Sequence, residues 1–146
     1  MEARNCISHL HSGIAGMDLA HQAIIEELST LMIAPDTEIG WRLQRVIALL
    51  EADFREEEVI MEQLDFPALH EHREHHAKLL SALHHVVPSA LDGNYELARQ
   101  VLKMLPHWFL GHLVKMDKPL IEAIHSTDTQ TATIAPVVSQ PGKQLF

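Results

Sequence analysis

An all-α, up-down-up-down four-helix bundle is the fold this sequence predicts, and three observations predict it. Apolar residues recur at helical spacing in four long segments. The segments are separated by short breaks at Pro35, at Phe66-Pro67 and at Asp92-Gly93-Asn94. No strand alternation, internal repeat or glycine-rich phosphate loop interrupts them. Four amphipathic helices with short connections bury their stripes most simply as an antiparallel bundle.

The chain has 146 residues, 47% of them hydrophobic, with only 6 glycines and 7 prolines, which suits one globular domain with a sizeable core. Eleven Lys and Arg against twenty Asp and Glu give a net charge of −9, which argues against binding nucleic acid or an anionic membrane. Cys6 has no second cysteine to pair with, so a reducing cytoplasm is the expected setting. The N-terminus shows no apolar run of signal-peptide length, and no segment suits a bilayer span. The 12 histidines are the unusual feature, and metal binding is one explanation for them.

Residues 1–16, loosened by Gly13 and Gly16, read as an irregular arm. Asp18 can cap a first helix running to about Ile33, with the stripe Ile24, Ile25, Leu28, Leu31 and Met32. Extended backwards, that stripe contains His21. Pro35 ends the segment, and Asp36 or Thr37 can cap a second helix over about 38–64. Its stripe, Leu43, Val46, Ile47, Leu50, Phe54, Ile60, Met61 and Leu64, is interrupted by Asp53 and Glu57. Pro67 suits the first position of a third helix over about 67–87, where His72 and His76 share a stripe with Leu69, Leu79, Leu80, Leu83 and Val87. Pro88 and the turn at 92–94 close it. A fourth helix over about 95–116 carries Leu97, Val101, Met104, Leu105, Trp108 and His112, with Pro106 expected to kink it. A regular helix would turn Asp117 about 140° from His112, so the helix is expected to end at Lys118-Pro119 and let Asp117 swing back. A short helical piece over 120–125 completes a domain of 1–125, and 126–146 reads as a flexible polar tail.

Side chains four apart on a helix lie about 40° apart around its axis, so Asp53 with Glu57, and His72 with His76, can each aim two donors at one point. A lone histidine on an apolar face is more often a core residue satisfied by one hydrogen bond. The run Glu56-Glu57-Glu58, and the cluster of His70, His72, His75 and His76, would be ordinary on solvated faces. The cluster also lacks the spacing of a zinc protease, because Glu74 stands where the second histidine is required. What outweighs these readings is coincidence: every predicted helix places a ligand-competent side chain on its inward stripe. Burying seven such groups uncompensated would cost several kcal/mol each, and a metal supplies the compensation.

These residues resemble the hemerythrin family, and its bacterial branch in particular. The likeness runs through Asp18-Leu19-Ala20-His21, the Phe54, Glu57, Met61 spacing, Phe66-Pro67, His72 and His76, and Trp108-Phe109-Leu110-Gly111-His112 followed by Asp117. It covers roughly 13–120, leaving out the arm and the tail. The resemblance implies a core site of two iron ions: His72, His76 and His112 on one iron, His21 and a second-helix histidine on the other, Glu57 and Asp117 bridging. It also implies oxygen uptake at the second, less fully ligated iron, in a protein of storage, delivery or sensing rather than an enzyme. Ile24, Trp108 and Phe109, three or four residues from His21 and His112, can line a dry pocket there. The other histidines match no ligand position, and His75 is the one best placed to support a ligand.

This chain departs from the pattern where the family has its second-helix histidine, for Asp53 stands there. A carboxylate reaches less far than an imidazole, so Asp53 either binds the metal directly, binds it through water, or is a buried acid held by His21. Glu56 is a weaker substitute, because it faces about 100° away from Glu57. Asp53 also keeps a carboxylate-rich oxidase or peroxidase in play, and with it a sensor of nitric oxide or redox state. A metal-free or zinc-filled interaction module is the reading from another class.

Overall fold

The computed structural model describes residues 12–127, and the chain there is an all-α four-helix bundle. Its helices are α1 (Ala15–Met32), α2 (Asp36–Gln63), α3 (Leu69–Leu91) and α4 (Glu96–His112). Each packs on the next, and α4 returns against α1 to close the ring. Among the described residues no helix is long and apolar enough to cross a membrane. Residues 1–11 of the expected arm, with Cys6, His9 and His11, and residues 128–146 of the expected tail lie outside the described residues.

Several boundaries differ from expectation, each for a local reason. The first helix starts at Ala15, so Asp18 lies in its first turn and does not cap it. There Asp18 accepts hydrogen bonds from the backbone N–H and hydroxyl of Ser12, at 2.9 and 2.6 Å. A carboxylate in that turn also favours the helix through its dipole. The cap position of α2 is Pro35, so neither Asp36 nor Thr37 caps it. Pro67 lies in the turn before α3, where Asp65 takes a left-handed φ of 49°. Pro88 does not end α3, which continues to Leu91. Within the last turns a proline forfeits one backbone bond, and the chain reverses only at Gly93, whose φ of 91° suits a residue without Cβ.

The inward face of α4 is turned by one residue from the expected stripe. Ala98, Leu102, Leu105, Phe109 and His112 are buried, while Leu97 and Met104 are 38% and 72% exposed. Both faces of this helix are apolar, so periodicity alone could not choose between them. The end of α4 is the larger difference. The helix neither stops nor lets Asp117 swing back. It widens into a π-turn, Leu113–Asp117, in which the Lys118 N–H bonds the Leu113 carbonyl, and then continues helically through 118–127. Pro119 has no N–H for the carbonyl four residues back, which favours the wider turn. The helix therefore passes Ser126 and Thr127, where the tail was expected to begin.

The apolar core is in two parts. A large cluster holds Ile24, Leu28, Leu31, Leu43, Leu50, Phe54, Leu83 and Phe109 among others, and a small one holds Met17, Met61 and Leu120. On α1, α2 and the end of α4, the residues between the two clusters are His21, Glu57 and Asp117. A polar layer thus divides the core.

Gly40, buried in α2, offers a test of packing at the far end of the bundle. A Cβ there would clash only with the tip of Leu91, 2.7 Å from Cδ2, while Leu91 Cγ and Cα stand at ordinary contact distances of 3.5 and 3.6 Å, and Leu91 is 55% exposed and free to turn aside. Gly40→Ala should therefore stabilise the fold by about 0.5–1 kcal/mol through helix propensity, read as a higher urea midpoint at unchanged slope. A lower midpoint would mean that Leu91 cannot move.

Candidate metal centre

Seven ionisable side chains meet in the polar layer: His21 from α1, Asp53 and Glu57 from α2, His72 and His76 from α3, His112 from α4 and Asp117 from the π-turn. All seven are buried, at 0–6% exposure. They fall into two groups of donor atoms that converge within 4.8 Å, one of Glu57, His72, His76, His112 and Asp117, the other of His21, Asp53 and Glu57.

The two carboxylates that face both groups divide their oxygens between them. Glu57 turns Oε2 toward Nε2 of His72, His76 and His112, at 3.4, 3.1 and 4.0 Å, and Oε1 toward Nε2 of His21 at 3.4 Å. Asp117 turns Oδ1 toward Nε2 of His72 and His112, both at 3.0 Å, and Oδ2 toward Nε2 of His21 at 3.6 Å. The π-turn makes the second arrangement possible. Its extra residue per turn brings Asp117, five residues after His112, back to the same face.

Asp53 is not behind His21. Its Oδ2 stands 3.4 Å from Nε2 of His21, the same nitrogen that faces Glu57 and Asp117. A carboxylate supporting a metal-bound imidazole would sit at the other ring nitrogen. The shorter reach of aspartate is made good by helix packing, since its oxygen comes as near to His21 as the Glu57 oxygen does. Glu56 is exposed and takes no part.

Many of these approaches lack hydrogen-bond geometry. Asp53 Oδ2, Glu57 Oε2, both oxygens of Asp117, both ring nitrogens of His72 and Nδ1 of His76 are buried without a hydrogen bond among the described residues. Buried polar atoms are otherwise satisfied almost without exception. Most of these atoms are aimed at common points rather than at one another, as a metal-binding donor set requires.

The electrostatics of the metal-free chain fit a set of charges seeking a cation. Burial lowers the His21 pKa, but Asp53 and Glu57 outweigh it and hold the group at about 10. Burial likewise opposes protonation of His72, yet Asp117 and Glu57 raise it to about 9. Asp53 is pushed up to about 6, by burial first and by repulsion from Glu57, with His21 pulling the other way. Burial also acts to raise Glu57, but the four surrounding histidines hold it well below the ordinary carboxylate range.

Aromatic rings brace the imidazoles. Phe54 stacks on His76 at 3.7 Å between centroids, 5° from parallel. Phe109 meets His21 edge-on at 6.0 Å. Nδ1 of His112, the nitrogen turned away from the layer, lies 2.8 Å from Nδ1 of His75. Trp108, half-buried, lies nearly parallel to both rings, 4.5 Å from His75 and 5.0 Å from His112. Ile24, 1% exposed, follows His21 by three residues on α1 and belongs to the large apolar cluster. The other described histidines lie away from the layer: His70 pairs with Glu74, His84 with Glu51, and His125 with the Ser12 carbonyl. Glu58, expected on a solvated face, pairs with Arg73 and stands 3.8 Å from Nδ1 of His76. Its only sequence signal is its place next to Glu57.

A bacteriohemerythrin of Ralstonia nicotianae is 37% identical to this chain over 109 residues, which make up 75% of this chain and 80% of that protein. This chain belongs to the hemerythrin family. No family-level sequence profile matches it, and no solved structure does. The family assignment and the buried layer agree in kind: a hemerythrin chain with a cluster of histidines and carboxylates able to hold metal at the middle of the bundle.

Proposed function

We propose that this hemerythrin-family chain holds two iron ions in the polar layer and takes up molecular oxygen there, for storage, delivery or sensing in a reducing cytoplasm. The observation that carries the reading is the division of the Glu57 and Asp117 oxygens between two donor groups. Carboxylates arranged so are poised to bridge two cations. His72, His76 and His112 would complete the first position, and His21 with Asp53 the second. Iron held there would supply the electrons that oxygen uptake needs.

The remaining residues protect and orient. Ile24 and Phe109 keep water from the side of His21, and Trp108 shields the His75–His112 contact. His75 accepts the Nδ1–H of His112 and so holds Nε2 of His112 in its lone-pair form, facing the metal. Removing that support with His75→Ala should weaken metal binding at the first position about 10-fold or more, by the usual effect of losing such a partner. Competition with a colorimetric chelator measures it, and unchanged affinity would remove His75 from the assembly.

Metal must displace protons here. With His21 near 10 and His72 near 9, both imidazoles are protonated at neutral pH in the metal-free chain. Loading should therefore release protons, and affinity should rise with pH until about 10. Titration calorimetry in two buffers of different ionisation enthalpy counts them.

Asp53 favours a second reading, a di-iron oxidase, a peroxidase or a sensor of nitric oxide or redox state, because extra carboxylate ligation stabilises the ferric state. One experiment separates the two. The purified protein is reduced anaerobically, its iron is counted, and its visible spectrum is followed as air is admitted. Two irons per chain, with an absorption band that fades when oxygen is removed, is the result expected of a carrier. Immediate, irreversible conversion to a ferric spectrum would favour the second reading. Absence of bound iron would overturn both.

A further inference from the structure

The two donor groups are chemically unequal, and the inequality has a consequence for which metals they hold. The first offers three imidazole nitrogens and two carboxylates. The second offers one imidazole, His21, and the carboxylates Asp53 and Glu57, with Oδ2 of Asp117 turned toward it 3.6 Å from His21 Nε2. Glu57 belongs to both and Asp117 faces both, so Asp53 is the carboxylate peculiar to the second. It is buried at 3%, and its Oδ2 has no hydrogen bond among the described residues. It faces the same nitrogen of His21 that the shared carboxylates face. Among the described residues the second group contains no histidine besides His21, and His75 is engaged by His112.

Divalent ions of the first transition row bind imidazole in an order that rises from manganese to iron and beyond. Hard carboxylate oxygens flatten that order, and manganese is at home among them. Each imidazole replaced by a carboxylate therefore narrows the advantage of ferrous over manganous ion. The first position, with three imidazoles, keeps iron selectivity. The second has lost most of its own and gained a negative charge.

We infer that the second position accepts manganous ion in place of ferrous, so that this chain can carry one iron and one manganese, with Asp53 as the residue that determines this selectivity. The inference rests on the two-metal reading above and specifies its second site. A mixed pair would fill in order: iron first among the three imidazoles, then manganese beside Asp53.

The test loads metal-free protein anaerobically with ferrous ion and a tenfold excess of manganous ion, then removes unbound metal and counts both by elemental analysis. Manganese electron paramagnetic resonance reports the ion's surroundings without any assay of oxygen uptake. The wild-type chain is expected to retain one iron and one manganese. Asp53→His, which restores an imidazole, is expected to hold two irons, with its manganese content lowered about tenfold. Because a buried histidine could disturb the helix, Asp53→Asn is measured beside it, with helicity checked by circular dichroism. That variant should keep the iron and lose the manganese. Two irons in the wild-type chain, or equal manganese in wild type and Asp53→His, would overturn the inference and leave the two-metal reading intact. Fewer than one metal per wild-type chain would overturn both.

Discussion

Glu57→Gln should empty both metal positions at once. Glutamine keeps the shape of the side chain but replaces one carboxylate oxygen with an N–H₂ group and removes the charge. Glu57 faces all four of the buried histidines His21, His72, His76 and His112 through Nε2. In either amide orientation, one group of donors would find a hydrogen-bond donor where an anion is required, and neither would find the charge. Elemental analysis after anaerobic loading and desalting should give about two metals for the wild-type chain and close to none for the variant. Asp53→Asn, by contrast, should cost only the second metal. A Glu57→Gln protein that retains both metals would show that its oxygens do not bridge them.

Removing metal should lower the melting temperature by more than about 10 °C. Seven buried nitrogen and oxygen atoms of the layer make no hydrogen bond among the described residues, and each such atom costs about 1–3 kcal/mol when left uncompensated. A metal at a thousand times its dissociation constant adds about 4 kcal/mol per site, and for a domain of this size 1 kcal/mol moves the midpoint by about 2–8 °C. Calorimetric scans with and without chelator give the difference.

That difference should widen with pH, and the sign follows from the histidines. His21 and His72 have folded pKa values raised above 6.5, to about 10 and about 9. Their pairing therefore stabilises the metal-free fold fully below pH 6.5 and is lost as pH rises through 9 and 10. Asp53, raised to about 6, works in the same direction, since its ionised form is disfavoured in the fold. The metal-loaded chain needs these imidazoles neutral and does not share the loss. Equal melting temperatures with and without metal at pH 8 would mean that the layer is satisfied without a cation.

The bundle was legible because burial imposes its period on sequence. Ile24, Leu28 and Leu31, or Leu43, Ile47 and Leu50, can share a face only on a helix. The same rule exposed His21, Asp53, Glu57, His72, His76 and His112 as polar residues on inward stripes. It failed on α4, where Leu97, Val101 and Met104 form a second apolar face beside the buried one. It also failed at helix ends, where Asp18, Pro67 and Pro88 obey local backbone bonding that residue type alone does not fix.

By itself the sequence determined the fold class, the polar layer and the donor types, because hydrophobic period and ligand chemistry are properties of residues and their spacing. Only the tertiary structure decided how the donors are shared. Whether Asp53 meets His21 at the nitrogen facing the layer or at the one behind it depends on how α1 packs against α2. Whether Asp117 faces the layer depends on the π-turn that brings it back beneath His112. The His75–His112 contact and the stack of Phe54 on His76 likewise join residues of separate helices. Spacing along one chain fixes angles around one helix axis. The meeting point of four axes is set by how their side chains fill the space between them.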